Sequence, residues 1–334
     1  MIVVLTGRRG SLGGRVVSAL REQVPDAEIV VADDVEDQSL ITDRADVVVD
    51  IGSSDYDSRA AHRESSTEFA AATLFLADRL SASQVVFVSS AMVYGALANN
   101  PVPLTEEATL RPDVEFVFAR QLASAEELVE QWRQARPGRA TCVLRPVVAL
   151  AAQRNSLLGA ALVSGLGRRF AEDDPPSQFL HLDDLASSIA IAVGRCLDGV
   201  FNVAPDGWVA GDRVRALSGE RRIPMPDRLV DVVGRLRWRF QRGPIPPGLH
   251  SYTREPWVVS NGQLRAEGWE PTVTNEQTYV ESTEAPWWTM VSPKRRQELA
   301  LGAGAAGAVV VVAVAFVFGR NRLNRRRAGS AGRG

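Results

Sequence analysis

The sequence predicts an α/β fold: a Rossmann-like parallel sheet with helices on both faces, a small C-terminal cap and one C-terminal transmembrane helix. Three observations carry that expectation. Short β-branched runs alternate with segments of helical spacing, as in parallel sheets covered on both sides. A glycine-rich turn joins the first run to the first helical segment. Residues 299–318, near the C-terminus, carry no charge at all.

The elements follow in order. Residues 2–5 are apolar and read as a strand, and 14–23 have helical spacing. Two further β-branched runs lie at 28–32 and 46–50. Residues 67–80 read as a helix, 84–89 as a strand, 124–136 as a helix and 141–144 as a strand. Beyond about residue 206 the alternation stops and proline and arginine become frequent, which marks a smaller cap. The division expected is a Rossmann-like domain over 1–205, a substrate or cap region over 206–285, a juxtamembrane stem over 286–298, the span at 299–318 and a basic tail at 319–334.

Composition excludes several functions. Hydrophobic residues make up 45% and charged residues 23%, so long disorder is not expected. Two cysteines, Cys142 and Cys196, cannot build a disulfide framework or a four-cysteine zinc site. His62, His181 and His250 are too scattered for a metal motif, and no metal is expected. The formal net charge is −2, but the basic residues from Lys294 onward face a single acid, Glu298, so the remainder is distinctly acidic. An acidic head argues against nucleic acid as a partner. Lys294 is the only lysine, so no mechanism in the head can rest on one.

Thr6-Gly7-Arg8-Arg9-Gly10-Ser11-Leu12-Gly13 lies between the first strand and the first helix. Glycines there let backbone turn tightly and approach a pyrophosphate at a helix N-terminus, where free N–H groups favour anions. The plainer reading is a glycine-rich turn without a ligand. Asp33 ends the second β-branched run, where an acid accepts from a ribose hydroxyl and repels a 2′-phosphate. It favours NAD over NADP; Arg8 and Arg9 pull the other way.

Further segments then fall in an order that resembles the extended short-chain dehydrogenase/reductase superfamily, in its NAD-dependent epimerase/dehydratase branch. Val88-Ser89-Ser90-Ala91-Met92-Val93-Tyr94-Gly95 resembles its VSSxxVYG strand end, and Leu144-Arg145-Pro146 its LRP segment. Phe179 to Ala186 resembles (F/Y)xHVxDxA, Phe201 to Ala204 resembles YNV, and Leu264 to Pro271 resembles LGWxP. The resemblance covers about residues 1–285. It implies a cofactor, NAD, held by Gly7, Arg9, Gly10, Ser11, Leu12, Gly13, Asp33, Ser89 and Pro146. It also implies a substrate under the cap, mostly a nucleotide sugar in this family, and a Ser/Thr–Tyr–Lys catalytic set. Ser90 matches the serine. The YxxxK segment does not match: Phe118 stands for tyrosine and Leu122 for lysine, with Glu126 four residues on. The alternative register from Phe116 to Arg120 also lacks a phenol. Tyr94 is the remaining candidate for an acid–base group. The stretch between Asp33 and the run at 46–50 is also short for the family's usual strand and helix.

Residues 299–318, as a helix of about 30 Å, match the thickness of a hydrocarbon core. Trp287 and Trp288 lie just upstream, at an interfacial depth. The N-terminus does not read as a signal peptide, so the expectation is a single-pass protein of the cell membrane with its head on the cytoplasmic face. The excess of arginine after the span opposes that orientation. Residues 221–242 hold seven arginines, with Leu229, Val233, Leu236 and Phe240 on one helical face. That segment suits anionic lipid, a sugar-nucleotide diphosphate, or simple solvation. The expected function is a membrane-tethered NAD(H)-binding protein acting on a nucleotide-sugar or lipid-linked substrate. The alternative is a catalytically inactive NAD(P)-binding sensor or scaffold.

Overall fold

The computed structural model describes residues 1–7, 11–32, 42–54, 65–151, 157–165, 175–218 and 248–283. Among these, the strands are β1 (Ile2–Thr6), β2 (Glu28–Ala32), β3 (Val47–Asp50), β4 (Gln84–Val88), β5 (Ala140–Pro146), β6 (Ala149–Leu150), β7 (Leu180–His181) and β8 (Gly199–Val203). The helices are α1 (Ser11–Gln23), α2 (Ser66–Arg79), α3 (Val117–Gln134), α4 (Leu157–Gly165), α5 (Leu182–Gly194), α6 (Gly211–Ser218), α7 (Leu249–Arg254), α8 (Gly262–Ala266) and α9 (Asn275–Ser282).

The six-stranded main sheet has the order β2-β1-β3-β4-β5-β8, and every neighbouring pair is parallel. Its strands read as unbroken apolar runs because both faces are covered. Successive side chains point to opposite faces. Val3 and Leu5 therefore join one apolar cluster with Val16 and Leu20 of α1 and Ile189 and Val193 of α5. Val4 and Val48 join the other, with Leu76 of α2 and Leu122 and Val129 of α3.

Relative to the doubly wound order 3-2-1-4-5-6, no strand lies outside β2 among the described residues. The stretch between Ala32 and Val47 is too short for a strand, a helix and two turns, as its length had indicated. Strand order reverses between β1 and β3, so the loops leaving their carboxyl ends part there. That switch point is where open α/β sheets bind ligands.

Some boundaries differ from the sequence expectation. Helix α3 begins at Val117, seven residues earlier, because its N-cap position holds Phe116, which makes no side-chain cap and gives no start signal. The cap is not confined to 206–285. Strands β6 and β7 pair in a separate two-stranded sheet that packs against α9. Met1–Glu284 forms one compact unit, with the expected boundary near 205 inside it. Asn261 Nδ2 donates to the Ala204 carbonyl across it, at 2.9 Å. Among the described residues, no helix is long and apolar enough to cross a membrane. The expected stem, span and basic tail, and the arginine-rich 221–242, lie outside the described residues.

Candidate functional site

At the switch point β1 ends in Thr6, and Gly7 follows with φ +80°, a conformation that favours glycine. Ile51 N–H donates to the Thr6 carbonyl at 3.2 Å, so β1 and β3 stay paired up to the turn. Asp50 then shapes the next loop. Its buried carboxylate accepts from Ser53 N–H at 2.9 Å and from Ser53 Oγ at 2.7 Å, an Asx-type turn. That turn brings Gly52 against Gly7. A Cβ on Gly7 would stand 2.3 Å from Gly52 Cα, and a Cβ on Gly52 would stand 2.3 Å from Phe69 Cε1. Gly7 is therefore glycine for two reasons internal to the fold, before any ligand is considered.

Helix α1 starts at Ser11, and its first turn holds no acid, which suits an anion at its N-terminus. Ser11 and Leu12 are half-buried and Gly13 is buried on the core side. This arrangement fits a dinucleotide pyrophosphate: Gly7 at the end of β1, then the N-terminus of a helix whose first turn holds no acid. Arg9, Gly10 and Asp33 lie outside the described residues.

At the end of β4, Ser90 is half-buried and caps a 3-10 turn, Ala91–Tyr94, by accepting from Met92 N–H at 3.2 Å. Ser89 is fully buried, and its hydroxyl donates to Glu126 Oε1 at 2.5 Å. Tyr94 is 0% exposed. Its hydroxyl donates to Asn202 Oδ1 at 2.8 Å and accepts from Arg145 Nη1 at 2.7 Å. Burial pushes its phenol above the usual range, and the nearby Arg145 charge only partly offsets this. Both hydrogen-bond partners of the Tyr94 hydroxyl are thus protein side chains. Pro146 ends β5, buried opposite Val203.

Arg145 completes this network. Its Nη2 meets Glu126 Oε2 at 2.6 Å, with each side chain 7% exposed. The Arg145 guanidinium also lies over the Tyr94 ring, 4.8 Å from the centroid. The segments VSSAMVYG, LRP and FNVA, far apart in sequence, thus converge on one buried polar cluster with Glu126. A second convergence joins the other two. Asp184 accepts from Thr272 N–H at 2.9 Å and Val273 N–H at 3.1 Å, and Trp269 Nε1 donates to Ser187 Oγ at 2.9 Å. These motifs hold the scaffold together.

The positions that best match the family's tyrosine and lysine by resemblance are apolar. Phe118 is 6% exposed and Leu122 0% exposed, in one cluster with Met92, Val93 and Phe116. Neither side chain can move a proton. Nearby the cap is bound tightly to the head: Tyr252 Oη donates to the Met92 carbonyl at 2.7 Å, and Asn100 Nδ2 bridges the Gly95 and Pro256 carbonyls at 2.8 and 2.9 Å. A cavity of about 10 Å³ remains between the end of β5 and the cap, bounded by Val147, Leu162, Gln178, Tyr252 and Trp257. That holds a single water. Sequence reasoning missed Tyr252, because nothing local marks a cap tyrosine as the partner of a turn 160 residues away.

Comparison with known proteins agrees with this architecture. The family model "NAD dependent epimerase/dehydratase family" matches residues 3–204. The uncharacterized protein Rv0501 of Mycobacterium tuberculosis is 24% identical over 200 residues, 60% of this chain. The chain spans about half, 53%, of that curated relative's length. UDP-glucose 4-epimerase of Thermus thermophilus, solved with NAD, superposes with a TM-score of 0.61 at 16% identity, covering 84% of this chain and 97% of that one. The dTDP-glucose 4,6-dehydratase DesIV of Streptomyces venezuelae, with NAD bound, gives 0.61 at 16% identity, covering 84% and 95%. RMD of Pseudomonas aeruginosa, complexed with NADPH, gives 0.57 at 19% identity, with the same coverage of 84% and 95%. At such identities the structural likeness speaks to fold, while the sequence match over residues 3–204 speaks to descent: the chain belongs to the NAD dependent epimerase/dehydratase family.

Proposed function

We propose that this protein binds NAD(H) at the switch point of its sheet, lacks the family's proton-transfer chemistry, and works at a membrane as a sensor or scaffold whose state follows cofactor occupancy. The observation that carries the reading is the apolar pair Phe118 and Leu122, buried where a phenol and an ammonium are required. When bound, NAD would supply a nicotinamide able to take up or give back a hydride. Gly7 and the N-terminus of α1 would hold its pyrophosphate. Asp33 would take the adenosine ribose and exclude a 2′-phosphate. The solved relatives include both NAD and NADPH complexes, so the choice rests on that residue.

The competing reading is an enzyme acting on a nucleotide sugar or a lipid-linked sugar. Its support is the solved relatives, which include UDP-glucose 4-epimerase. Against it stands the apolar pair Phe118 and Leu122, neither of which can move a proton. Residues 299–318 would anchor the head to the membrane on its cytoplasmic face, where the nucleotide is.

Calorimetry on the full chain in detergent tests the reading, with mass spectrometry of nucleotides released on denaturation. The expected result is NAD binding tighter than NADP binding, and no turnover of UDP- or dTDP-sugars. Absence of binding by either dinucleotide at about 1 mM would overturn it.

A further inference from the structure

Phe69 has no part in the family's chemistry, and no motif in the sequence singles it out. It sits in the first turn of α2 with its ring edge toward Gly52, so close that a methyl on Gly52 would lie 2.3 Å from Cε1 and 2.5 Å from Cζ. Gly52 in turn touches Gly7, with a Cβ on Gly52 only 3.1 Å from Gly7 Cα. Ring, glycine and glycine form one stack that ends at the turn where β1 hands over to α1.

The near end of the stack is held firmly. Ser65 and Glu68 form a capping box: Glu68 N–H donates to Ser65 Oγ at 3.1 Å, and Ser65 N–H to Glu68 Oε2 at 3.2 Å. The next two residues are tied to α3 at Gln121. Ser66 N–H donates to Gln121 Oε1 at 3.3 Å, and Thr67 Oγ1 to the Gln121 carbonyl at 3.0 Å. Gln121 lies between Phe118 and Leu122. The stretch of α3 that lacks catalytic groups therefore holds the first turn of α2, and through Phe69 it reaches the switch point.

We propose that Phe69 is a positioning residue for the cofactor site: its ring holds Gly52 against Gly7 and so fixes the backbone on which a pyrophosphate would rest. The inference rests on the NAD reading for its consequence, but the contact itself is tested without ligand. A leucine at 69 keeps apolar volume in the cluster but withdraws the ring edge. An alanine at 52 adds a methyl where that edge stood. Each single change disturbs Gly7; together they compensate.

The test uses the full chain in detergent with two readouts. Thr6-Gly7 is the sole Thr-Gly pair in the sequence, so carbonyl-13C threonine with 15N glycine isolates the Gly7 amide in one NMR spectrum. Calorimetry gives the NAD affinity. Phe69→Leu and Gly52→Ala should each move the Gly7 amide resonance and weaken NAD by about tenfold, as expected for residues in contact. The double variant should return both readouts toward the wild type. An unmoved Gly7 amide in Phe69→Leu, or effects that add in the double variant, would overturn the proposal. If the wild type fails to bind NAD, the cofactor reading fails, and the amide shifts still decide the positioning role. Should Phe69→Leu not fold, Phe69→Met, whose flexible side chain fills irregular gaps, replaces it with the same outcomes.

Discussion

Replacing Leu122 by lysine would restore the cation that the family's chemistry uses, and the structure makes that change costly. Leu122 has no exposed surface and packs with Phe118, Met92 and Val129. The carboxylate one turn along, Glu126, is already paired with Arg145 at 2.6 Å. An ammonium at 122 would be desolvated with little in return, at about 3–5 kcal/mol. Burial disfavours the charged form, so the lysine's folded pKa falls below its unfolded value of about 10.4. Between those two values the unfolded state binds more protons. Stability of the variant then rises with pH by about 1.4 kcal/mol per unit. A deficit of about 3–5 kcal/mol at pH 7 should shrink to below about 1 kcal/mol near pH 10. Urea unfolding of variant and wild type across pH 7 to 10 measures the difference, free of the wild type's own titration. A deficit that stays constant with pH, or one under about 1 kcal/mol at pH 7, would refute the claim that position 122 is enclosed.

Two further outcomes follow. Arg145→Met leaves Glu126 buried without its partner and should cost about 3–5 kcal/mol by thermal or urea unfolding, while Arg145→Met with Glu126→Leu should recover most of it. If residues 299–318 span the membrane with the head inside, a cysteine at Ser330 should react with an impermeant maleimide in intact cells and one at Ser292 should not; protection of both would leave a surface-lying anchor.

Much of the sheet was legible because its strands are covered on both faces. A run such as VVLT or VVFV has no polar alternation to confuse it, and each is bounded by turn residues. Helix α3 was half legible. Its second half has clear spacing, but its start lacks a capping residue, so the pattern gave no signal at Phe116. Gly7 was legible as part of a glycine turn, but the fold's own reason for it was not. Gly7 answers to Gly52 and Phe69, contacts between segments that share no local pattern. Tyr94 was legible as a tyrosine within a family motif, but its partners were not. Only the positions of Arg145 and Asn202, on two other strands, show that its hydroxyl is used up internally.

The family's motif set divides into two parts with different reasons to persist. Ser89, Tyr94, Glu126, Arg145 and Asn202 are buried and linked in one hydrogen-bonded chain, so losing either member of the Arg145–Glu126 pair leaves the other charge without its partner. For the ion pair that penalty is about 3–5 kcal/mol, a large part of a typical net stability of about 5–15 kcal/mol. Such a cluster stays whether or not the protein catalyses anything. The tyrosine and lysine positions carry no such restraint. Phenylalanine and leucine there add apolar burial, worth about 1.5–3 kcal/mol for each side chain. Once selection for turnover relaxes, folding energetics alone retain the first set and favour loss of the second. In the proposed reading, the question of activity turns on positions 118 and 122, both of which are apolar.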